Sequence, residues 1–176
     1  MKTILGTLDR DFGNKIRLML TQLESRGLVM RPFYGIRTPI EQAKLWRQSR
    51  TRDQIDIAIR NLDQAGAPIL AACLVSVGPQ RGRHVTNALP GYSWHQYGEA
   101  VDLFAVDGNG AADWDVSARG YVDMAEIARA LEMKPGRDFG DAVHIQSRYH
   151  EPHQVFTIPQ IEVEMVKRFP EIGSTK

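Results

Sequence analysis

The apolar residues of the first segment recur three or four positions apart. They are Leu8, Phe12, Ile16, Met19 and Leu23. This spacing predicts an amphipathic helix from Leu8 to Arg26, capped by Thr7 and ended by Gly27. The next apolar run, residues 28–36, predicts a strand. Because Pro32 cannot donate a ladder hydrogen bond, that strand is expected at a sheet edge or at a bulge.

Helix-start signals and further periodic runs predict the other elements. Thr38 and Glu41 form a capping box for a helix that runs to about Gln48. The remaining predictions are helices over 52–65, 68–77, 117–132 and 159–169, a loop over 80–91, a turn over 107–110 and strands over 100–106 and 142–146. The helix over 68–77 is apolar nearly all round and is therefore expected to be buried.

Composition narrows the class of protein. The chain has 176 residues, 43% of them hydrophobic and 24% charged, with a net charge of +1. These values are typical of a single globular domain spanning 1–176, and they give no sign of a nucleic-acid partner. The one cysteine, Cys73, cannot form an internal disulfide and lies in an apolar run, where a small buried side chain is expected.

The N-terminal segment and the apolar runs also bear on location. The first residues contain only a short apolar patch interrupted by charge, which is too weak for a signal peptide. No run is long enough to span a bilayer. We therefore expect a cytoplasmic protein without stable membrane insertion. We also expect the protein to be a monomer.

Candidate chemistry is concentrated in two short segments. His95 and Asp102 lie on either side of Gly98, where a turn-prone segment passes into the strand over 100–106. His144 lies in the second predicted strand, and antiparallel pairing would place it beside Asp102. Two imidazoles and one carboxylate are a typical catalytic ligand set for zinc, since the fourth position remains open to water.

A second carboxylate precedes His144 by three residues. In a regular strand Asp141 would point away from the metal, because side chains alternate between faces. Gly140 favours a turn at this point, and a turn could direct the carboxylate back towards a zinc-bound water as a general base. A turn or capping carboxylate is the alternative.

The two segments share a recognisable pattern with a known family. The matching residues are Ser93-x-His95-x-x-Gly98-x-Ala100-x-Asp102 and Asp141-x-x-His144-Ile-Gln146, with Gly35–Gln42 and Val85–Gly91 upstream. The pattern resembles that of the D-alanyl-D-alanine metallopeptidases, and most of all their phage endolysin branch, the L-alanyl-D-glutamate peptidases.

This resemblance implies a fold, a cofactor and a site. The implied fold is a small α+β domain with helices packed on an antiparallel sheet and zinc bound at the sheet. The implied residues are His95, Asp102 and His144 as zinc ligands, Asp141 as catalytic base, Arg37 as the catalytic cation, and Ser93 and Gln146 as substrate-binding residues. The implied partner is the peptidoglycan stem peptide, cleaved between L-alanine and D-glutamate.

Two other functions fit the same residues. A carboxypeptidase or dipeptidase could use this site to release D-alanine, although such enzymes usually face the envelope and carry a signal peptide. A zinc-stabilised binding domain could keep the ligands and lose the base. A lysin without a signal would need a holin-type route to the cell wall.

Overall fold

The computed structural model describes residues 3–174. Its helices are α1 (Arg10–Ser25), α2 (Pro39–Arg47), α3 (Arg52–Gln64), α4 (Pro68–Ser76), α5 (Arg119–Ala130), α6 (Pro152–Val155) and α7 (Ile158–Arg168). Its strands are β1 (Val29–Tyr34), β2 (Ala100–Val106), β3 (Ala112–Asp113), β4 (Lys134–Pro135) and β5 (His144–Gln146). The chain forms two compact units, one of residues 1–36 and 97–149 and one of residues 37–96 and 150–176.

The first unit is built on an antiparallel sheet. The strands follow the order β1-β2-β5-β4, and β3 pairs with the end of β2. Helices α1 and α5 pack on this sheet, and the shared core is formed by Phe12, Ile16, Met19, Leu23, Met30, Val101, Leu103, Ala105, Tyr121, Met124, Ile127, Ala128, Met133 and Ile145. The predicted α+β class with an antiparallel sheet is confirmed.

Alternation along β2 decides which side chains enter that core. Val101 and Leu103 are fully buried beneath α1 and α5, so Asp102 points to the opposite face of the sheet. Among the described strands, β1 pairs with β2 alone, and its register shifts between Pro32 and Tyr34. Both expectations for a strand containing proline, an edge position and a bulge, are confirmed.

The beginning of α1 differs from the prediction. The helix starts at Arg10, and Asp9 caps it by accepting hydrogen bonds from the backbone N–H groups of Asp11 and Phe12. The hydroxyl of Thr7 instead donates to the carbonyl of Ile4. A carboxylate nearer the first turn therefore takes the place predicted for threonine.

Three short elements were not predicted. Strand β4 occupies Lys134–Pro135, where the sequence indicated only a helix stop, and β3 follows the correctly predicted turn after β2. Helix α6 has a single turn. Elements of two to four residues carry too few positions for a periodic pattern, so hydrophobic spacing cannot reveal them.

The second unit is helical. Helix α2 has the predicted capping box between Thr38 and Glu41. Helix α4 lies against α2 and α3, and its buried residues include Leu70 and Leu74, but Val75 is 59% exposed. The helix predicted to be buried therefore buries most of its apolar residues and leaves one face exposed.

A side chain from α7 caps the start of α4. Ala67 precedes that helix and gives no side-chain cap. Instead, Oε2 of Glu162 accepts hydrogen bonds from the backbone N–H groups of Ile69, at 2.7 Å, and Leu70, at 3.0 Å. A carboxylate at a helix N-terminus also interacts favourably with the helix dipole. Glu162 thus joins two helices that are distant in sequence.

Replacing Glu162 by alanine should lower the free energy of unfolding by about 2 kcal/mol, because one buried and one partly buried backbone donor lose their acceptor. Thermal unfolding of the variant measures the effect. Glu164→Ala on the same helix is the matched control, since its pair with Arg168 is on the surface and contributes about 0.5 kcal/mol or less. Equal melting temperatures for the two variants would contradict the capping role.

Cys73 is 2% exposed, as predicted. Burial, with a smaller contribution from the charge of Glu162, raises the pKa of its thiol to about 11. The reactive thiolate is therefore scarce at pH 8. We expect thiol reagents at pH 8 to label Cys73 only after denaturation, as mass spectrometry of the labelled protein would show. Rapid labelling of the folded protein would contradict this burial.

Within residues 3–174, no helix is both long and apolar enough to cross a membrane. The expectations of a single domain, a monomer and a cytoplasmic location stay predictions.

Candidate metal centre

Strand pairing brings two of the predicted ligands together in the first unit. Asp102 on β2 is the direct partner of His144 on β5 in the antiparallel register. Their side chains share the face opposite the core, and Oδ1 of Asp102 lies 3.0 Å from Nδ1 of His144. The pairing predicted for the two strands is confirmed.

Gln146 fixes the orientation of the His144 ring. The amide nitrogen of Gln146 donates to the carbonyl of Arg148 at 2.8 Å, so the amide oxygen is the atom that faces Nε2 of His144, at 3.0 Å. That oxygen can only accept, and Nε2 must therefore carry the hydrogen. In the neutral ring this leaves the lone pair on Nδ1, the atom beside Asp102.

The third predicted ligand lies in the turn before β2. His95 belongs to a 3₁₀ helix, Trp94–Tyr97, and is 3% exposed. One donor atom from each of His95, Asp102 and His144 lies within 4.8 Å of the other two. The predicted metal-binding group is therefore assembled.

The donor set suits zinc. Zinc bonds of about 2.0–2.2 Å place tetrahedral ligands about 3.4 Å apart, which is close to the 3.0 Å between Oδ1 of Asp102 and Nδ1 of His144. A structural site would have four protein ligands, whereas this set supplies three and keeps a position for water or substrate. When bound, zinc would supply Lewis acidity and a water molecule of lowered pKa.

The electrostatics of His144 make metal binding dependent on pH. Burial alone would lower the pKa of its imidazole, but the hydrogen bond and charge of Asp102, with the charge of Asp141, outweigh burial and raise the pKa above its ordinary value. A proton and a metal compete for Nδ1. Lowering the pH through this raised pKa therefore favours the protonated, metal-free ring.

The segment before His144 forms the turn that Gly140 predicted. Gly140 has a φ of 91°, and the backbone N–H of Asp141 donates to the carbonyl of Gly136. A Cβ atom on Gly136 would lie 2.1 Å from the Asp141 carbonyl oxygen and 2.7 Å from Cβ of His144, so only glycine fits there. Asp141 is exposed, in a turn closed by the His144 N–H. Its role as base stays a prediction.

In the second unit, Arg37 lies immediately before α2. Its backbone N–H donates to the carbonyl of His95 at 3.3 Å, which places Arg37 next to the segment that carries a candidate metal ligand. Its guanidinium donates to the side chain of Gln42 at 3.0 Å. The predicted role of Arg37 as the catalytic cation is not tested by these contacts and stays a prediction.

The Ser93–Gln96 turn is held by a residue to which the sequence assigned no role. The amide oxygen of Gln96 accepts from the N–H of Gly91, at 2.8 Å, and from that of Ser93, at 3.4 Å. Ser93 is half-buried, and its substrate-binding role stays a prediction. Among the aromatic candidates near the motif, Trp94 and Tyr97 are buried, while Trp114 is 55% exposed.

Glu99 is another residue that sequence reasoning missed. It accepts two hydrogen bonds from the guanidinium of Arg148 and one from the hydroxyl of Ser147. These contacts tie the residue before β2 to the end of β5 and so reinforce the strand pair that carries Asp102 and His144. Their sequence separation of nearly fifty residues leaves no local signal for such a pair.

Gln146 was predicted to bind substrate, but its amide is 3% exposed and bonded to His144 and the Arg148 carbonyl. We therefore expect Gln146→Leu to weaken zinc binding by about 10- to 100-fold, as is usual when a residue that orients a ligand is lost. Titration against a chromophoric chelator measures the affinity. Gln146→Glu, which keeps an acceptor for Nε2, is the comparison. Equal zinc affinity in the folded Leu variant and wild type would remove this orienting role.

Comparison with known proteins shows which family the chain belongs to. The family model of VanY, described as D-alanyl-D-alanine carboxypeptidase, matches residues 6–129. The chain belongs to this family, which confirms the metallopeptidase resemblance at that level. The comparisons give no support for the phage endolysin branch. No curated protein matches the chain.

Two solved structures are similar to the chain. One is a vancomycin-resistance D,D-pentapeptidase VanY mutant, from a VanB-type cassette, with Zn(II); it is 16% identical, with 88% of this chain and 83% of that chain covered and a TM-score of 0.46. The other is VanYB with D-alanine-D-alanine, at 15% identity, with 96% and 84% covered and a TM-score of 0.45.

Proposed function

We propose that this protein is a zinc-dependent D,D-carboxypeptidase that releases the terminal D-alanine from peptidoglycan stem peptides. The observation that carries the proposal is the cluster of His95, Asp102 and His144 in a chain of the VanY family. The family match ends at residue 129 and so includes two of these ligands. The third reaches Asp102 through the pairing of β2 with β5.

The residues of the chain divide the chemical work. Asp141 takes a proton from the attacking water and passes it to the leaving amine of D-alanine. Arg37 binds the carboxylate at the C-terminus of the substrate, for which a guanidinium provides two parallel N–H donors. Gln146 keeps His144 in the ligand tautomer. Because Arg37 lies beside the segment of His95, its guanidinium can bind the terminal carboxylate of a substrate held at the metal site.

The L-alanyl-D-glutamate endopeptidase is the second candidate, because the Ser93–Asp102 and Asp141–Gln146 patterns resemble that branch. The family match favours the carboxypeptidase. The endopeptidase hypothesis also requires that the protein accumulate in the cytoplasm and reach the cell wall through a holin-type pore. Fractionation of expressing cells, with and without a pore-forming protein, tests this location.

A single digestion separates these functions. The zinc-loaded protein is incubated with a purified stem pentapeptide ending in D-alanyl-D-alanine, and the products are identified by mass. Loss of one alanine residue, abolished by a chelator and restored by zinc, is the expected result. A new D-glutamate amino terminus would establish the endopeptidase instead. Bound zinc with no cleavage of either bond would favour a zinc-stabilised binding domain and overturn the proposal.

A further inference from the structure

A buried glutamine contacts the side chain of Arg37. Gln42 lies in the first turns of α2 and has no exposed surface. Its Oε1 accepts a hydrogen bond from Nη1 of Arg37 at 3.0 Å, and its Nε2 donates to the carbonyl of Ala88 at 2.6 Å. Both ends of the amide are therefore used, one by Arg37 and the other by the loop that leads to Ser93.

The two hydrogen bonds of the Gln42 side chain together fix the orientation of its amide. A buried amide is costly unless its donor and acceptor are both satisfied. Because Nε2 must face the Ala88 carbonyl, Oε1 must face a donor, and the guanidinium of Arg37 provides it. The capping box of Thr38 and Glu41 fixes the start of α2 immediately after Arg37, so Gln42 projects from a helix whose register is set.

A neutral acceptor has a specific advantage at this position. A glutamate would form an ion pair with Arg37 and offset the positive charge that an anionic substrate requires. Glutamine restricts the rotamers of the long arginine side chain and leaves its charge intact. Fewer rotamers in the unbound protein mean a smaller loss of entropy when the guanidinium binds a ligand.

We propose that Gln42 is a positioning residue that holds the guanidinium of Arg37 for the terminal carboxylate of the substrate. This inference rests on the proposed function. Gln42 acts through Arg37, and the specificity it supports is the preference for a peptide that ends in a free carboxylate over one that ends in a neutral group.

A purely structural role for Gln42 would be to hold the loop before Ser93. That loop already has another clamp, since Arg50 donates to the Thr86 carbonyl at 2.9 Å and contacts Nδ1 of His84 at 2.7 Å. The guanidinium of Arg50 also lies over the ring of Trp46. The hydrogen bond between Gln42 and Arg37 is therefore not needed to hold the loop before Ser93. Arg50→Gln therefore loosens the same loop and keeps the bond between Gln42 and Arg37, so it is the matched control.

The test compares two substrates that differ only at the C-terminus. One peptide ends in D-alanyl-D-alanine with a free carboxylate, and the other carries a carboxamide there. The quantity measured is the ratio of their kcat/KM values for wild type, Gln42→Leu, Arg37→Ala, the double variant and Arg50→Gln. Circular dichroism and zinc content establish that each variant is folded and loaded, and Gln42→Met replaces Gln42→Leu if the latter does not fold.

We expect Gln42→Leu to lower kcat/KM for the carboxylate peptide by about 10- to 100-fold, mainly through KM, with a much smaller effect on the carboxamide peptide. The ratio of kcat/KM values for the two peptides should be the same in the double variant as in Arg37→Ala, since Gln42 acts through Arg37. Arg50→Gln should change both substrates equally.

Each contrary result has a distinct meaning. If Gln42→Leu slows both peptides equally, or if its effect adds in full to that of Arg37→Ala, Gln42 is structural and this inference is wrong while the proposed function stands. If Arg37→Ala keeps the preference for the carboxylate, the role of Arg37 is wrong, and the inference with it. If the wild-type protein releases no D-alanine, the proposed function itself fails, as does everything that rests on it.

Discussion

Replacing His144 by alanine should abolish both metal binding and peptidase activity. The imidazole is one of the three proposed ligands, and two remaining ligands would hold zinc far more weakly than three. Since zinc contributes several kcal/mol of transition-state stabilisation, turnover should fall by about 10³-fold or more, towards the uncatalysed rate. Metal analysis of the purified protein and release of D-alanine measure the two losses.

His153→Ala is the control for this substitution. His153 is an exposed histidine of α6 that stacks on Tyr92, and it lies outside the ligand cluster. It should keep one zinc per chain and full turnover. Because His144 is buried, His144→Gln provides a variant with less loss of volume. Stoichiometric zinc in both folded His144 variants would show that the metal site had been assigned incorrectly.

Replacing Asp141 by asparagine should separate catalysis from metal binding. Asparagine keeps the size and polarity of the side chain but cannot take a proton at neutral pH. Loss of a general base costs about 10²- to 10⁴-fold, so kcat should fall by that amount while zinc content stays unchanged. Turnover of the stem pentapeptide, with metal analysis of the same sample, measures the result.

Asp138→Asn is a control from the segment just before this turn. Asp138 is partly exposed and pairs with Arg129, which holds the pKa of its carboxyl below the usual range. Its substitution removes a negative charge close to Asp141 in sequence without removing the proposed base, so kcat should change little. If Asp141→Asn retained wild-type turnover, the base would have to be another group.

The candidate metal ligands were accessible to sequence reasoning because their chemistry is encoded locally. His95 and Asp102 are seven residues apart around Gly98, where a turn-prone segment passes into the strand over 100–106. The turn at Gly140 was predicted for a similar reason, since a glycine next to a short strand favours a left-handed conformation. Such signals depend only on neighbours in the sequence.

The supporting residues were not accessible in this way. The sequence contained Gln42 within a recognised segment and assigned it no role, and Gln146 was predicted to contact substrate. Both amides are buried and bonded on two sides, Gln42 to Arg37 and Ala88, Gln146 to His144 and Arg148. A polar residue next to a motif can face either substrate or protein, and only the packing around it distinguishes the two.

The resemblance to a known family implied the α+β class. The sequence by itself determined most helices, the two central strands and three candidate metal ligands. These follow from hydrophobic period, helix capping and ligand chemistry, which operate over a few residues. The tertiary structure alone decided the capping of α4 by Glu162, the contact of Gln146 with His144 and the contact of Gln42 with Arg37. These features depend on contacts between segments, which the local pattern of a sequence does not specify.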